Sequence, residues 1–192
     1  MPSETSALPA VLLTGLPGAG KSTVGRALAR RLRAVLVDQD TATAPLVAVV
    51  AELVGVADLD DQRLAGPTRM ARYETVIALA EDNLRVGIPV VLVAPFTAER
   101  RDPDAWSALD RRLRASGGAP LLVWLRLRPA TAVQRLVVRG AARDLAKLAD
   151  PAAFIAGLDL EEPAGPHVTV DAEGPTDDVV GRVLTGLAEH RA

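Results

Sequence analysis

One short segment constrains the fold of this chain more than any other. Residues 15–22 read GLPGAGKS and match the pattern G-x-x-x-x-G-K-[ST], between an apolar run and an amphipathic helical pattern. Glycines let the backbone wrap closely around an anion, so that its N–H groups and the positive end of the following helix face phosphate oxygens. The segment therefore predicts a phosphate-binding loop that joins a buried strand to a helix.

The residues of this loop are the predicted nucleotide contacts: Gly15, Pro17, Gly18, Ala19, Gly20, Lys21, Ser22 and Thr23. We expect the Lys21 ammonium to reach the β- and γ-phosphates and the Ser22 hydroxyl to ligate Mg²⁺. The alternative is a glycine-rich turn without a ligand. It is disfavoured because the loop follows a predicted strand and opens a predicted helix.

Apolar strands alternate with helical patterns along the rest of the chain. Strands are predicted at Ala10–Thr14, Ala34–Val37, Ile88–Phe96, Pro120–Leu127 and His167–Asp171. Helices are predicted over Lys21–Arg33, Pro45–Leu53, Thr68–Val86, Ala105–Ala115, Asp177–His190 and from Pro129, with a break at Gly66–Pro67. This alternation predicts an α/β fold of three layers, in which a five-stranded parallel sheet is covered by helices on both faces.

Length and composition predict a single domain over residues 1–192 and argue against several kinds of protein. The net charge of −2 argues against a general nucleic-acid binder, and the absence of cysteine excludes disulfides and thiolate zinc sites. No signal peptide or membrane span is visible, so we expect no membrane partner and a cytoplasmic location.

Two carboxylates, Asp38 and Asp40, follow the second strand. Ligands bind at the carboxyl edge of parallel sheets, so both should lie beside the phosphate loop. On an extended segment residues i and i+2 point the same way. One carboxylate could then support Mg²⁺ while the other accepts a proton from an attacking hydroxyl. The alternative is an Asx turn at the end of the strand.

Two other classes of nucleotide-binding protein lack their usual residues in this chain. Motor ATPases and many switches place an acid at the end of a further apolar strand. Here the third strand ends in Ala94, Pro95 and Phe96, the fourth ends in Trp124, Leu125 and Arg126, and no guanine-reading N-K-x-D occurs. The sequence therefore disfavours a motor or a GTP switch.

Arginines recur at every fourth position beyond the fourth strand, at Arg135, Arg139 and Arg143, which predicts one face of a helix with a hinge at Gly140. Arginines on a movable segment can close over phosphates and exclude water. Residues 129–150 are therefore predicted to form a lid. The alternative is a solvated cationic face that pairs with Asp144 and nearby acids.

Three motifs in order, GLPGAGKST, VDQD and RLVVRGAARD, resemble the small P-loop kinases grouped with shikimate kinase, gluconate kinase and chloramphenicol phosphotransferase. The motifs RYE, APFT and RDLAKL extend the resemblance to bacterial proteins labelled "AAA family ATPase" or "ATP-binding protein". The resemblance implies the three-layer P-loop NTPase fold, ATP as phosphate donor, and an adenine-side loop at Asp171–Asp178. It also implies that Asp38 is the Mg²⁺-side carboxylate, that Asp40 is the base or acceptor-binding carboxylate, and that Arg139 and Arg143 are lid arginines.

The acceptor is expected between the second and third strands. Arg69 and Arg72 share a helical face and could hold an anionic group, with Tyr73 beside them, while Phe96 could stack on the acceptor. The alternatives are solvated arginines and a core aromatic residue. The apolar stretch Pro45–Leu59 is either a buried helix or a wall for a large acceptor or a partner subunit, so a monomer and a homodimer both stay open.

The leading hypothesis is an ATP-dependent phosphotransferase that acts on a hydroxyl of a small molecule. Lys21, Arg139 and Arg143 would stabilise the transferred phosphoryl group. Shikimate kinase has a glycine triplet after the third strand that this chain lacks, which argues against shikimate as the acceptor. A toxin-like kinase of a nucleotide-sugar would differ only in the acceptor. The alternative from another class is a nucleotide-binding regulatory ATPase module that acts through a protein partner.

Overall fold

A five-stranded, wholly parallel sheet forms the middle layer of the structure. The computed structural model describes residues 7–56, 62–141 and 144–191. The sheet has the order β2-β3-β1-β4-β5, from strands β1 (Leu8–Gly15), β2 (Val35–Asp38), β3 (Val90–Val93), β4 (Gly118–Arg126) and β5 (Val168–Asp171). The predicted α/β fold with a five-stranded parallel sheet is confirmed, and the strand that leads into the phosphate loop lies at its centre.

Helices cover both faces of this sheet. The described ranges contain α1 (Lys21–Leu32), α2 (Gln39–Val54), α3 (Gln62–Arg85), α4 (Thr97–Arg101), α5 (Pro103–Ala115), α6 (Pro129–Arg139), α7 (Leu145–Ala149), α8 (Pro151–Ala156) and α9 (Thr176–Arg191). Helices α1, α6 and α9 pack on one face of the sheet, and α3 and α5 pack on the other. None of the helices in these ranges has the length and apolarity needed to cross a membrane.

The central strand β1 contributes to the core on both faces of the sheet. Val11 and Leu13 join the cluster beneath α1 and α9, whereas Ala10 and Leu12 join the cluster beneath α3 and α5, and all four are fully buried. Successive side chains of a strand point to opposite faces, so a strand covered on both sides must be apolar throughout. This is why the sequence before the phosphate loop is a continuous apolar run.

The strands end level with one another, and this alignment builds one edge of the sheet. Gly15 lies beside Leu125, Asp38 lies beside Val93, and Arg126 lies beside Asp171. The phosphate loop, Asp38–Asp40 and the segments after β3 and β4 therefore meet at the same edge, as the sequence predicted.

Two helices begin more than one turn earlier than the sequence predicted. Helix α2 begins at Gln39 rather than Pro45, because the Asp38 carboxylate caps it and accepts hydrogen bonds from the backbone N–H groups of Asp40 (3.1 Å) and Thr41 (3.3 Å). The predicted break at Gly66–Pro67 is wrong, since α3 runs through it. A proline in the second turn of a helix removes one backbone hydrogen bond, and the burial of Leu64 just before it favours the helix.

Helix α6, the first part of the predicted lid, is packed into the core. Ala132 and Leu136 are fully buried, and the Arg135 guanidinium donates hydrogen bonds to the carbonyls of Gly18 (3.4 Å) and Ala172 (3.0 Å). A Cβ atom placed on Gly18 would lie 2.9 Å from the Ala132 carbonyl oxygen. The phosphate loop and α6 are therefore in direct contact, which leaves movement, if any, to the part of the lid beyond Arg139.

We predict that Gly18→Ala destabilises the protein more than Gly20→Ala. Both glycines have left-handed backbones, with φ of +82° and +83°, but a Cβ on Gly20 would meet no atom within 4 Å. Gly20→Ala should cost about 1–2 kcal/mol for the left-handed conformation alone, and Gly18→Ala at least about 1 kcal/mol more for the clash. Urea unfolding of both variants without nucleotide measures the difference. Equal destabilisation would contradict the close packing of α6 on the loop.

Candidate functional site

Lys21 is folded back under the phosphate loop. Its ammonium donates hydrogen bonds to the carbonyls of Gly15 (2.8 Å) and Leu16 (3.0 Å). Burial lowers the pKa of Lys21 to about 8, although the negative charges of Asp40 and Asp38 oppose this shift. The ammonium is therefore held by neutral carbonyl partners, which a negatively charged phosphate group could replace.

Ser22 and Asp38 form a direct contact beside Lys21. The Ser22 hydroxyl donates a hydrogen bond of 2.5 Å to Asp38 Oδ2, and Asp38 is only 7% exposed. The other oxygen, Oδ1, caps α2. Asp38 therefore has both roles that the sequence suggested. One carboxylate oxygen forms the turn at the start of α2, and the other contacts the phosphate loop.

The oxygens of Ser22 and Asp38 fit a magnesium ion. Mg²⁺ usually binds one or two protein oxygens, keeps several waters and takes the rest of its ligands from phosphates. No group of three or more His, Cys, Asp or Glu side chains that could hold a metal occurs in residues 7–56, 62–141 and 144–191. The two oxygens of Ser22 and Asp38 are too few to hold an ion by themselves. They are therefore suited to an ion that arrives bound to a nucleotide.

Asp40 is not on an extended segment as the sequence predicted, because α2 begins at Gln39 and places Asp40 in the first helical turn. Its carboxylate is 58% exposed and accepts a hydrogen bond of 2.8 Å from Arg72 Nη2. Arg72 Nε donates to Thr43 Oγ1 at 3.0 Å. Arg72, expected at the acceptor, therefore orients Asp40 in this structure. Thr43 was not among the residues predicted from the sequence. Its position one helical turn after Asp40 is the one feature of the sequence that could have indicated it.

The other candidate acceptor residues lie in different surroundings. Arg69 is exposed, whereas Tyr73 is half-buried and its ring meets that of Phe96 edge to face at 5.8 Å. Phe96 is fully buried in the core, which corrects the prediction that it stacks on an acceptor. Its backbone is left-handed, with φ of 45°, where the chain turns from β3 into α4. Phe96 is therefore placed to support Tyr73.

A cavity of about 360 Å³ lies on the other side of the phosphate loop. The loop, α1, α6 and the segment after β5 line it, through Gly18, Ala19, Gly20, Thr23, Val24, Arg135, Arg139, Ala172, Gly174, Thr176 and Val179. This volume is within the range of small-molecule sites. The segment after β5 was expected on the adenine side, and it does form one wall of the cavity.

Arg139 lines this cavity and is paired within the lid. Its Nε and Nη2 donate hydrogen bonds of 2.8 and 2.7 Å to the two carboxylate oxygens of Asp144, which is buried. The helix ends at Arg139, where Gly140 takes a left-handed conformation. The predicted helical face is therefore limited to Arg135 and Arg139. Arg143 lies outside the described residues.

An ion pair fixes the wall formed by the segment after β5. Arg128 donates two hydrogen bonds, of 2.6 and 2.5 Å, to the Glu173 carboxylate, and the Thr131 hydroxyl donates a third at 3.1 Å. Arg128 holds the pKa of Glu173 down to about 2. The ion pair joins the start of α6 to the loop beside Ala172 and Gly174. Sequence patterns missed it because its members are 45 residues apart.

Comparisons with known proteins identify the family of this chain. A family model described as an AAA domain matches residues 11–163. A shikimate kinase from Bradyrhizobium diazoefficiens is 28% identical over 184 residues, which cover 94% of this chain and 80% of that protein. A shikimate kinase from Corynebacterium glutamicum is 70% identical over 33 residues, so the match spans 17% of this chain and only 20% of that protein.

A solved structure supports the same fold. The gluconokinase from Sinorhizobium meliloti 1021 superposes with a TM-score of 0.59 and 22% sequence identity, over 94% of this chain and 92% of that one. At this level of identity the likeness concerns the fold, which is the three-layer architecture described above.

The first prediction from this site concerns pH. A Lys21 ammonium with a pKa of about 8 loses its proton as the pH rises through that value, while bound phosphates favour the charged form. ATP affinity should be flat below pH 8 and fall by up to about tenfold per pH unit above it. Calorimetry at pH 8.5 in buffers of different ionisation enthalpy should show proton uptake.

The control for this prediction is Lys21→Met, which removes the titrating group. Its weaker ATP binding should not change between pH 7 and 9.5. If the unaltered protein also binds ATP equally across that range, then the ammonium does not take part in binding or its pKa is not lowered.

The second prediction concerns the ion pair between Arg128 and Glu173. Arg128→Ala and Glu173→Ala should each weaken ATP binding by about threefold to tenfold. The double variant should bind ATP almost as tightly as either single variant, because each substitution breaks the same ion pair. A fluorescent ATP analogue measures the affinities. Arg114→Ala, which breaks an exposed ion pair with Asp110 on α5, serves as the control and should have no effect. Additive losses would show that the two residues act separately.

Proposed function

This chain belongs to the AAA domain family, and from that premise we propose that it is an ATP-dependent phosphotransferase that transfers the γ-phosphate to a hydroxyl of a small molecule. The observation that carries the proposal is the contact of Ser22 with Asp38 beside Lys21, with Asp40 in the next helical turn. In this proposal a phosphate-binding loop, a pair of side chains for Mg²⁺ and a separate carboxylate share one edge of the sheet. The shikimate kinase relatives support the same class of reaction.

The reaction needs few protein groups. The acceptor oxygen attacks the γ-phosphorus, the new O–P bond forms, and the bond from the γ-phosphorus to the oxygen it shares with the β-phosphate breaks, so that ADP leaves. Asp40 takes the proton of the hydroxyl, and the 2.8 Å hydrogen bond from Arg72 keeps its carboxylate oriented. Lys21 stabilises negative charge on the β- and γ-phosphates.

Ser22 and Asp38 would hold Mg²⁺ in this scheme. The ion supplies positive charge that neutralises the phosphate oxygens during transfer. The phosphate loop would hold the nucleotide, with Gly15, Pro17, Gly18, Ala19, Gly20 and Thr23 around the phosphates. The cavity between α6 and the segment after β5 would accept the nucleoside.

The lid contributes Arg139 to the proposed mechanism. The Arg139 side chain is 39% exposed and lines the nucleotide cavity, while Asp144 fixes its direction. Its charge contributes to the lowered pKa of Lys21, which supports a position within reach of the nucleotide phosphates in this proposal. A guanidinium there would stabilise the transferred group and help to exclude water. Arg143 and a lid over residues 129–150 of a single domain, with movement confined to the part beyond Arg139, remain part of the proposal.

The acceptor is a small molecule in this proposal, and its identity stays open. Ala94, Pro95 and Phe96 stand where shikimate kinase has a glycine triplet, so shikimate is not put forward. The exposed Arg69 and the half-buried Tyr73 are the remaining candidates beside Asp40 and Arg72. The proposal places the reaction in the cytoplasm, where ATP is supplied, and is compatible with a monomer or a homodimer. No observation favours the regulatory module.

An ATP-consumption screen over hydroxylated metabolites and antibiotics tests the proposed function. A true acceptor should raise ADP release well above the rate with water alone. Asp40→Asn should then lower kcat by at least about 100-fold with ATP affinity intact, because a positioned base contributes that much. Asp38→Asn should instead raise the Mg²⁺ concentration that half-maximal activity requires.

The control variant is Asp82→Asn, which removes an exposed acid paired with Arg85 on α3 and should leave all these rates unchanged. If no acceptor raises ADP release, and Asp40→Asn hydrolyses ATP as fast as the unaltered protein, then the phosphotransferase proposal is wrong and a regulatory ATPase becomes the better explanation.

A further inference from the structure

A second cavity lies at the carboxyl edge of the sheet, away from the nucleotide cavity. Helix α4 forms one wall, and residues Leu158–Ala164, here called the strap, form the other. The cavity has a volume of about 480 Å³, which suits a metabolite. The strap is tied down, since the backbone N–H of Ala164 donates a 2.7 Å hydrogen bond to the Arg100 carbonyl. Neither wall belongs to the residues assigned above.

Arg100 is the most unusual residue of this cavity. Its side chain is only 7% exposed, and charged side chains are rarely buried to this extent without a full set of partners. Nη2 donates a 2.7 Å hydrogen bond to the Glu161 carbonyl, and the guanidinium lies 5.8 Å from the centre of the Trp124 ring. Nε is buried and has no hydrogen-bond partner among the described residues. The guanidinium is held in place but incompletely satisfied.

A single carboxylate serves two arginines at this point. Asp159 Oδ2 lies 3.4 Å from Arg100 Nη1 and 3.1 Å from Arg101 Nε. Burial opposes ionisation of Asp159, but the hydrogen bond from Arg101 and the charge of Arg100 outweigh it and hold the pKa of Asp159 below its usual range. The two guanidinium groups therefore compete for one carboxylate. Glu161 and Glu162 are exposed at the rim, where water screens their charges.

The turn into α4 is bonded to the strand that leads into the phosphate loop. The Thr14 hydroxyl, one residue before the loop, donates a 2.6 Å hydrogen bond to the Pro95 carbonyl, which anchors the turn into α4. The charge of Arg100 also contributes to the lowered pKa of Lys21. The charge of a molecule held by Arg100 and Arg101 would therefore interact with the charge of the transferred phosphate.

Unsatisfied polar atoms are concentrated at the same place. Among the described residues, the buried side-chain atoms without a hydrogen-bond partner are Tyr73 Oη, Glu99 Oε2, Arg100 Nε and Trp124 Nε1. Glu99 and Arg100 belong to α4. Trp124 lies against Arg100, and Tyr73 packs on Phe96, the residue before α4. Burial raises the pKa of Tyr73, and the charge of the nearby Glu99 carboxylate raises it further, so these two groups face each other. Such atoms call for a polar partner.

We propose that the cavity between α4 and the strap binds a carboxylate or phosphate group of the acceptor, and that Asp159 occupies the place of this group in the free protein. The inference rests on the proposed function and names its acceptor class, a hydroxylated molecule with an anionic substituent. The arginine pair provides the planar, multiple hydrogen bonds that such groups accept. Asp159 gives way to the incoming anion, and the strap moves with it.

The test uses the full chain and two simple probes, inorganic phosphate and malonate, titrated at constant ionic strength. Asp159→Asn removes the internal anion and should bind one or both probes at least about tenfold more tightly than the unaltered protein, because both guanidinium groups become free for the probe. Asp159→Asn combined with Arg101→Gln should lose this gain. Asp110→Asn is the matched control, since Asp110 also accepts from an arginine Nε, that of Arg114, at 2.7 Å. The phosphate loop is the same in both variants, so any binding there cancels.

The comparison of probes identifies the anion. Stronger binding of phosphate indicates a phosphorylated acceptor, and stronger binding of malonate indicates a carboxylate. If Asp159→Asn binds both probes no more tightly than Asp110→Asn, the proposal is wrong. Should Asp159→Asn fail to fold, Arg101→Gln gives the answer, since Arg101 is 60% exposed. The rise in Tm that the probes cause should be smaller in Arg101→Gln than in Arg114→Gln, because the phosphate loop contributes equally to both.

A failure of the proposed function gives a different pattern. ATP binding is measured in every variant, and neither probe titration needs turnover. If Asp159→Asn gains no probe binding over Asp110→Asn while both bind ATP normally, the anion cavity alone is overturned. A protein that binds the probes but neither binds nor consumes ATP overturns the phosphotransferase and leaves an anion site of another kind.

Discussion

The place of β1 at the centre of a parallel sheet is the constraint on which the site depends. Its backbone pairs with β3 on one side and β4 on the other, so the chain leaves the sheet at Gly15 between two neighbouring strand ends. The loop that follows can then contact α6 on the β4 side, while Ser22 meets Asp38 at the end of β2. A register shift in either ladder would separate the loop from its partners, because each partner is fixed to a strand end.

Electrostatics divides this edge of the sheet into two unequal halves. On the nucleotide side the charges are paired and oriented, since Arg139 holds Asp144 and Arg128 holds Glu173. On the α4 side two arginines share Asp159, and several buried polar atoms have no partner. On the side where the charged groups already have partners, a ligand would be held mainly by backbone groups and Lys21. On the α4 side, where polar groups lack partners, a ligand that carries its own polar groups is favoured.

Much of the fold could be predicted because local patterns report it directly. The apolar runs of β1, β3 and β4 mark strands buried on both faces, and the glycine-rich loop marks the start of α1. Helix boundaries were less accurate. The start of α2 depends on the Asp38 cap, and α3 continues through Pro67 because packing of Leu64 and its neighbours outweighs one lost hydrogen bond. Capping and packing free energies of this kind depend on neighbours that a local pattern does not contain.

The sequence by itself determined the loop that is predicted to hold a phosphate chain. The spacing from Gly15 to Ser22 is local, and the loop, the helix and the lysine are built from consecutive residues. Only the tertiary structure decided what the more distant side chains do. In the folded protein Arg72 binds Asp40, and Phe96 lies in the core. Helix α6 ends at Arg139, and Arg100 contacts Asp159, which lies 59 positions further along the chain. The physical reason is that a hydrogen bond or an ion pair depends on separation in space, and the sheet brings remote segments to within 3–4 Å without leaving any periodic trace in the sequence.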